Sequence, residues 1–168
     1  MKSVERVRAA LIAAGVGDVI IDLPDSARTA PMAAAALSKH LNQDVPVGAI
    51  VKSLVFTADR QPVLVLVAGD RRADTGKLKS ATRASTVEMA DAETVRTATG
   101  YAIGGVPPVG HSDGLPIIVD RSLERFETVY AAAGHPHAVF PILFTRLVEV
   151  IRGRVVDVTR DENPATKS

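Results

Sequence analysis

Two neighbouring apolar runs decide the fold, Ile50-Val51-Lys52-Ser53-Leu54-Val55-Phe56-Thr57 and Pro62-Val63-Leu64-Val65-Leu66-Val67-Ala68. Both are rich in valine and leucine and have the length of strands. The polar segment Asp59-Arg60-Gln61 between them is typical of a hairpin connection. Because both runs are almost continuously apolar, we expect strands that are covered on both faces. The first strand is predicted to span Val47–Thr57.

Helices and further strands flank this hairpin. Helical spacing of apolar residues, capping residues and helix-favouring alanines predict helices at Ser3–Ala14, Pro31–Leu41, Asp70–Ala81, Ala92–Thr99 and Thr145–Ile151. Short apolar runs predict strands at Val19–Leu23, Leu115–Val119, Glu127–Ala131, Ala138–Phe140 and Arg154–Val158. These elements favour a mixed α/β fold with a curved, mainly antiparallel sheet and flanking helices. We expect one domain at residues 1–158 and a polar tail at 159–168.

The composition limits the possible functions. The chain has 168 residues, of which 46% are apolar and 23% are charged, as in an ordinary globular domain. Cysteine is absent, which excludes disulfides, thiolate metal sites and a cysteine nucleophile. A net charge of +1 argues against binding nucleic acid by bulk charge alone. With no long apolar stretch and no signal-like N-terminus, we expect a soluble, cytoplasmic protein that binds neither membranes nor DNA.

Three common site motifs are poorly matched. Gly69–Leu78 is reminiscent of a phosphate-binding loop, but six residues rather than four separate its glycines, and Leu78 replaces the magnesium-binding hydroxyl. A helix start capped by Asp70 or Asp74 is the better interpretation. His135-Pro136-His137 favours loop histidines over a metal site. The sequence contains no Gly-x-Ser-x-Gly elbow, so it does not indicate a serine nucleophile. We therefore predict no metal and no cofactor.

Two features remain as candidates for a site. Lys52 interrupts an apolar strand, which is consistent either with an edge strand whose lysine points to water or with a cation at a pocket wall. The segment Gly104-Gly105-Val106-Pro107-Pro108-Val109-Gly110-His111 combines stiff prolines with glycines that allow a ligand close to the backbone. Such a loop can present N–H groups to a developing oxyanion, although a purely structural turn is an equal alternative.

Taken together, these residues resemble a known family. The pair Val51-Lys52-Ser53-Leu54-Val55-Phe56 and Gly104–His111 is similar to the YbaK/prolyl-tRNA synthetase-associated domain family of aminoacyl-tRNA deacylases. Shorter matches fall in the same order, namely Thr29-Ala30, Gly69-Asp70-Arg71-Arg72, Lys77-Leu78, Leu115-Pro116, Asp120 and Ala132-Ala133-Gly134. The resemblance covers roughly Val4 to Val158, and its specificity comes from the joint order of short motifs.

The resemblance implies a reaction and a set of roles. Members of the family hydrolyse the ester between a small amino acid and the 3′-terminal adenosine of a mischarged tRNA, such as Cys- or Ala-tRNA(Pro). It implies that Lys52 contacts the adenosine or its phosphate, and that amides of Gly104, Gly105 and Val106 stabilise the tetrahedral intermediate. The attack is by water, activated with help from a substrate hydroxyl. For cysteine, the substrate thiol itself can act instead. The remaining candidates for substrate binding are Thr29, Ser53, Pro107, Pro108, His111, Gly134 and His135.

One departure and two competing functions follow from this comparison. Subfamilies specialised for alanyl substrates often carry asparagine after the lysine, whereas this chain has Ser53, so a cysteinyl or other small substrate stays open. The implied partners are the 3′ end of aminoacyl-tRNA and prolyl-tRNA synthetase, with action in trans. A non-catalytic module that binds aminoacyl-tRNA or a synthetase is the main alternative, and a small-molecule esterase is the second.

Overall fold

The computed structural model describes residues 2–24, 27–111 and 114–161. The helices are α1 (Lys2–Ala13), α2 (Ala30–Leu41), α3 (Thr75–Thr82), α4 (Ala92–Thr99) and α5 (Phe144–Ile151). The strands are β1 (Ile21–Asp22), β2 (Val51–Ala58), β3 (Gln61–Ala68), β4 (Arg71–Ala73), β5 (Val87–Met89), β6 (Ile117–Asp120), β7 (Thr128–His135), β8 (Ala138–Leu143), β9 (Arg154–Val156) and β10 (Thr159–Asp161). Short 3-10 turns occur at Val47–Ala49 and Arg121–Arg125. In these three ranges no helix has the length and apolarity to cross a membrane.

The strands form three sheets. The largest has the order β5-β2-β3-β6-β9, a second has the order β1-β8-β7, and the third is the β10–β4 ribbon. Within the described chain, β3–β6 and β6–β9 are parallel and the other five strand pairings are antiparallel. The mixed α/β fold with mainly antiparallel pairing is therefore confirmed.

The β2–β3 hairpin is the centre of the fold. Its register runs from Val51 opposite Ala68 to Ala58 opposite Gln61. Asp59 and Arg60 form the turn with φ values of 47° and 71°, the left-handed conformations that a two-residue turn between twisted strands requires. Val63–Ala68 is buried throughout, which confirms that the second apolar run is covered on both faces.

Alternate residues of β3 belong to different hydrophobic cores. Leu64 and Leu66 pack with Val7 and Leu11 of α1 on one face of the sheet. Val63, Val65 and Val67 pack on the other face with Leu78 of α3 and Val158. This alternation follows from the two-residue period of a strand. A third core joins α2 to β7 and β8, through Leu37, Tyr130 and Val139.

Two predicted elements have different bounds in the structure. Asp70–Ala81 is not one helix, because Arg71–Ala73 pairs with Thr159–Asp161 and the helix starts only after Asp74, whose side chain accepts from Lys77 N at 3.1 Å. That pairing also carries regular structure to Asp161. Residues 162–168 of the expected tail lie outside the described chain. Val47–Thr57 divides into a 3-10 turn and β2, and the strand β5 was not predicted.

Candidate functional site

A cleft of about 420 Å³ runs along the edge of β2. Its walls come from the start of α2, from Ile50–Leu54, from the loop after α4 and from the β7–β8 hairpin. Five of the residues selected from the sequence line it, namely Thr29, Lys52, Ser53, Gly104 and Val106. The volume is within the range of small-molecule sites. Residues that are far apart in the chain therefore meet around one hollow.

Lys52 lies on a strand edge that faces this cleft. β2 pairs with β5 only at Phe56–Ala58, so the segment Val51–Leu54 has its strand partner, β3, on one side. The edge-strand interpretation is therefore correct for the backbone, but the edge borders a hollow that Lys52 lines. The Lys52 Nζ donates a hydrogen bond of 2.6 Å to the carbonyl oxygen of Arg71. This bond orients the ammonium group at the wall of the cleft.

The two hydroxyl side chains in the cleft have different environments. Thr29 is the N-cap of α2, and its Oγ1 accepts from Met32 N at 3.3 Å, which stabilises the first turn. Ser53 Oγ is inaccessible to solvent and has no hydrogen-bond partner among the described residues. A buried hydroxyl without a partner costs free energy, and a polar group of a ligand can relieve that cost. Ser53 is therefore the polar group of the cleft that most needs a partner.

The glycine–proline loop approaches the cleft with its first residues. Gly104 has φ +90°, a conformation that strains any residue with a Cβ atom. Gly105 has a different requirement, since a Cβ there would stand 2.9 Å from the His135 backbone. The Gly105 N–H also donates to Ala102 O at 3.1 Å and is already used within the loop. The amides of Gly104 and Val106 remain candidates for contacts with a ligand.

The other predicted substrate-binding residues do not line this cleft. The backbone of Gly134 and His135 lies directly against Gly105 of the loop. His135 Nδ1 accepts from His137 N at 3.1 Å. Pro108 and His111 line a separate hollow of about 600 Å³ between α1 and α5. Pro107 is buried, and its carbonyl oxygen is hydrogen bonded to His111 Nε2.

His111 anchors the far end of the loop. Its ring makes an edge contact with Tyr101, with 5.8 Å between the ring centroids. The guanidinium group of Arg6 stacks on the Tyr101 ring. Burial lowers the pKa of His111 below its usual value of 6.5, while its hydrogen bond to Pro107 O acts in the opposite direction. Burial is the largest cause of the lowered pKa, and the nearby Arg6 charge acts in the same direction.

Several lining residues were not selected from the sequence. Tyr130 and Val139 come from β7 and β8, and Pro136 comes from the turn that joins those strands; Ala132 of β7 was noted only within a supporting match. Their apolar or small side chains carry no chemical signal, and only the pairing of β7 with β8 brings them to the cleft. The Gly69-Asp70 segment was noted only as a supporting match, although Gly69 is part of the wall.

No candidate metal centre is found in the described ranges. Within residues 2–24, 27–111 and 114–161, no three His, Asp or Glu side chains are grouped as metal ligands. His135 and His137 lie close together, with ring centroids 5.2 Å apart. The described lining of the cleft contains hydroxyl, ammonium, guanidinium and backbone groups but neither carboxylate nor imidazole.

Comparisons with known proteins give a matching family profile and similar solved structures. The profile of the aminoacyl-tRNA editing domain matches residues 25–149. The crystal structure of a proposed trans-editing enzyme for prolyl tRNA synthetase is similar to this one, with a TM-score of 0.84. The two sequences are 38% identical, and the match covers 95% of this chain and 98% of that one.

Segments of proline–tRNA ligases are also similar. The ligase of Oleidesulfovibrio alaskensis is 46% identical over 67 residues, which is 40% of this chain and 12% of the ligase. That of Lactobacillus helveticus is 39% identical over 98 residues, which is 58% of this chain and 17% of the ligase. The matched region is thus a small part of each of these larger enzymes.

Proposed function

The chain belongs to the aminoacyl-tRNA editing domain family, and we propose that it is a deacylase that hydrolyses the ester of mischarged tRNA carrying a small amino acid. The observation that carries this proposal is the meeting of Lys52, Ser53 and Gly104 around one cleft of about 420 Å³. A cation, a hydroxyl and a glycine backbone at one hollow are the groups that an aminoacyl ester on a ribose requires.

Lys52 is the proposed contact for the terminal adenosine or its phosphate. Its ammonium lines the cleft and is oriented by Arg71 O, which places a positive charge where an anionic or carbonyl oxygen of the substrate can bind. Fixing the ester beside the strand edge converts the attack of water into a reaction within one complex, which lowers the entropic part of the barrier. In this proposal Lys52 binds and orients the substrate and does not transfer a proton.

The amides of Gly104 and Val106 are the proposed oxyanion donors. Both residues line the cleft, whereas the Gly105 amide is engaged with Ala102 O. As the family resemblance implies, we assign the activation of water to a hydroxyl of the substrate. The catalytic contribution of the chain is then positioning and stabilisation of the developing negative charge.

The walls of the cleft support a small amino-acid substrate. Ala33, Ala132 and Val139 give it short apolar sides, and Tyr130 also lines it. Ser53 adds the one buried hydroxyl without a partner in the described chain. We therefore propose substrates with a small side chain, cysteinyl or alanyl, and expect a polar atom on Cβ to gain a hydrogen bond from Ser53.

The proposed partner is the 3′ end of aminoacyl-tRNA, with prolyl-tRNA synthetase as its source. Similarity to parts of proline–tRNA ligases and to a proposed trans-editing enzyme supports this assignment. Because tRNA charging by such a synthetase takes place in the cytoplasm, we propose that the chain acts there, in trans on released tRNA.

A panel of mischarged tRNAs tests the proposal. tRNA(Pro) charged with Ala, Cys, Ser or Thr is incubated with the wild type and with Lys52→Ala, and the remaining ester is quantified over time. We expect rapid loss of at least one small aminoacyl group and a fall of at least about 100-fold with Lys52→Ala, because the substrate is no longer oriented. A circular dichroism melt checks that the variant is folded.

The same panel separates the competing functions. Retention of aminoacyl-tRNA on a filter with an unchanged ester half-life would establish a binding module and contradict the deacylase. Hydrolysis of free amino-acid esters that is unaffected by added tRNA would instead establish a small-molecule esterase. Lys52→Arg sharpens the test, because a binder accepts either cation, whereas a site shaped for a compact ammonium loses activity.

A further inference from the structure

Lys52 is oriented by a carbonyl group that belongs to a short and otherwise weak ribbon. Arg71, whose carbonyl oxygen accepts from Lys52 Nζ at 2.6 Å, is the first residue of β4. β4 has three residues and pairs with β10, which also has three. A two-stranded ladder of this length is marginally stable by itself. Side-chain contacts must therefore contribute to holding the Arg71 backbone in place.

The Arg71 side chain is held at two points on β10. Its Nε donates to Thr159 Oγ1 at 2.9 Å, and its Nη1 donates to Asp161 Oδ1 at 2.5 Å. The guanidinium group is planar and its donors have fixed directions, so two bonds to one strand restrict the whole side chain. Arg71 thus connects two residues: its carbonyl oxygen binds Lys52, and its guanidinium group binds Thr159.

Thr159 is in turn anchored on a buried carboxylate. Thr159 and Asp120 are both 0% exposed, and Thr159 Oγ1 lies 2.9 Å from Asp120 Oδ2. Asp120 also accepts from Val158 N at 2.8 Å, from Ser122 N at 3.1 Å and from Ser122 Oγ. In this bond the Thr159 hydroxyl donates to the Asp120 carboxyl oxygen. Its lone pair is then directed to the Arg71 Nε–H.

We propose that Asp120 and Thr159 are positioning residues that set the location of the Lys52 ammonium through Arg71. Neither residue lines the cleft, and both act by fixing the β4–β10 ribbon whose carbonyl orients Lys52. This inference rests on the proposed function for its consequence in catalysis, but the coupling to Lys52 is a property of the protein alone.

The geometry explains why a buried carboxylate is used here. An ionised group without solvent is costly unless hydrogen bonds compensate it. Asp120 is the last residue of β6 in the large sheet, and two of its four donors belong to Val158, just before β10, and to Thr159, the first residue of β10. The carboxylate therefore fastens the ribbon to the large sheet. Without the Thr159 hydroxyl, Arg71 loses one of its two anchors and its carbonyl is free to shift.

Thr159→Val and Thr159→Ser test the coupling directly. Valine preserves the shape and removes the hydroxyl, whereas serine preserves the hydroxyl. The readouts are the side-chain resonances of Lys52 in lysine-labelled protein, assigned by their loss in Lys52→Arg, together with kcat and KM on the best substrate of the panel. We expect the Lys52 resonances to move in Thr159→Val and to return in Thr159→Ser. We expect kcat/KM to fall at least about tenfold in Thr159→Val and to recover in Thr159→Ser.

Thr82→Val is the matched control. Thr82 Oγ1 also makes two local hydrogen bonds, donating to Leu78 O at 2.7 Å and accepting from Ala84 N at 3.4 Å, but it has no connection to Arg71. Its loss should lower stability without moving the Lys52 resonances or kcat/KM. If Thr159→Val does not fold, Arg71→Met replaces it, since this variant keeps the buried Thr159–Asp120 pair and removes the guanidinium.

Each outcome has a defined meaning. Lys52 resonances that stay unchanged in a folded Thr159→Val or Arg71→Met protein overturn the inference, whatever the activity. A shift of these resonances in Thr82→Val also overturns it, because the effect is then general destabilisation. If the resonances move as expected but the wild type deacylates no tRNA, the coupling is established and the proposed function fails instead.

Discussion

At its first residue, the loop from Gly104 to His111 lines the Lys52 cleft; at its last, it closes a separate hollow between α1 and α5. The two ends have similar backbone needs, because Gly104 and Gly110 both adopt positive φ, at +90° and +81°. Their surroundings differ. Gly104 faces a space that a ligand can fill, whereas the Gly110 carbonyl accepts from the Tyr101 hydroxyl at 3.2 Å.

The difference shows that one continuous motif can serve two purposes. The Gly104 end presents backbone to the cleft, and the His111 end attaches the loop to the main core through Tyr101 and Pro107. Substitutions at the two ends should therefore separate activity from stability.

Of the comparisons that follow, alanine at Gly104 is expected to lower kcat most, and alanine at Gly110 is expected to lower stability most. Gly104→Ala should reduce kcat for deacylation by about 10- to 100-fold, because the strained loop shifts a proposed oxyanion donor. Its stability cost should be about 1–2 kcal/mol, since a Cβ there has ordinary contacts with Pro136. Gly110→Ala should destabilise more, because its Cβ would stand 2.8 Å from the Tyr101 hydroxyl, yet it should leave kcat within about twofold. Denaturant melts and initial rates below the melting range measure both quantities, and equal losses of kcat would refute the division.

A smaller effect is expected at Ser53. Ser53→Ala removes a buried hydroxyl without a partner in the described chain, so the free energy of unfolding should stay the same or rise by up to about 1 kcal/mol. In competition between seryl- and alanyl-tRNA(Pro), the ratio of kcat/KM values should move towards alanine by about 3- to 10-fold. An unchanged ratio would remove Ser53 from substrate selection. Thr57→Val, on the same strand but outside the cleft lining, is the control.

The smallest effect on activity is expected at His111. Because burial lowers the pKa of His111 in the folded state, the unfolded chain binds its proton more readily. The stability linked to His111 is present above the unfolded value of about 6.5 and is lost as the pH falls from there towards the lowered pKa. The drop in Tm between pH 7.5 and pH 5.5 should therefore be smaller in His111→Gln than in the wild type. At pH 7.5, kcat should be unchanged within about twofold, and a large loss would mean that His111 takes part in the reaction.

Local signals allowed much of the fold to be predicted. Thr29, Pro31 and the alanines that follow specify α2 without help from the rest of the chain, and the observed helix begins at Ala30 with Thr29 as its cap. The apolar strand β3 is close to its predicted limits for the same reason, whereas β2 begins four residues later than predicted. The β4–β10 ribbon could not be predicted, because its two strands are separated by more than 80 residues and neither is apolar.

The site divides in the same way. Lys52 stands out because a charge in an apolar strand is unusual, and Gly104 stands out because glycine and proline concentrate there. His111 follows the same motif, but the chain turns away from the cleft before reaching it, and no local pattern records that turn. Tyr130 and Val139 enter the cleft only through sheet pairing.

An NMR titration with an amide-linked aminoacyl adenosine, which cannot undergo ester hydrolysis, tests the central claim most directly. The ¹⁵N-labelled protein should show saturable shifts of the backbone resonances of Lys52, Ser53 and Gly104, while those of Gly110 and His111 stay unchanged. The Lys52→Ala variant should bind the same analogue at least about tenfold more weakly. Shifts centred on Gly110 and His111, or equal affinity without the Lys52 ammonium, would contradict a site in which Lys52 and the Gly104 backbone hold one ester.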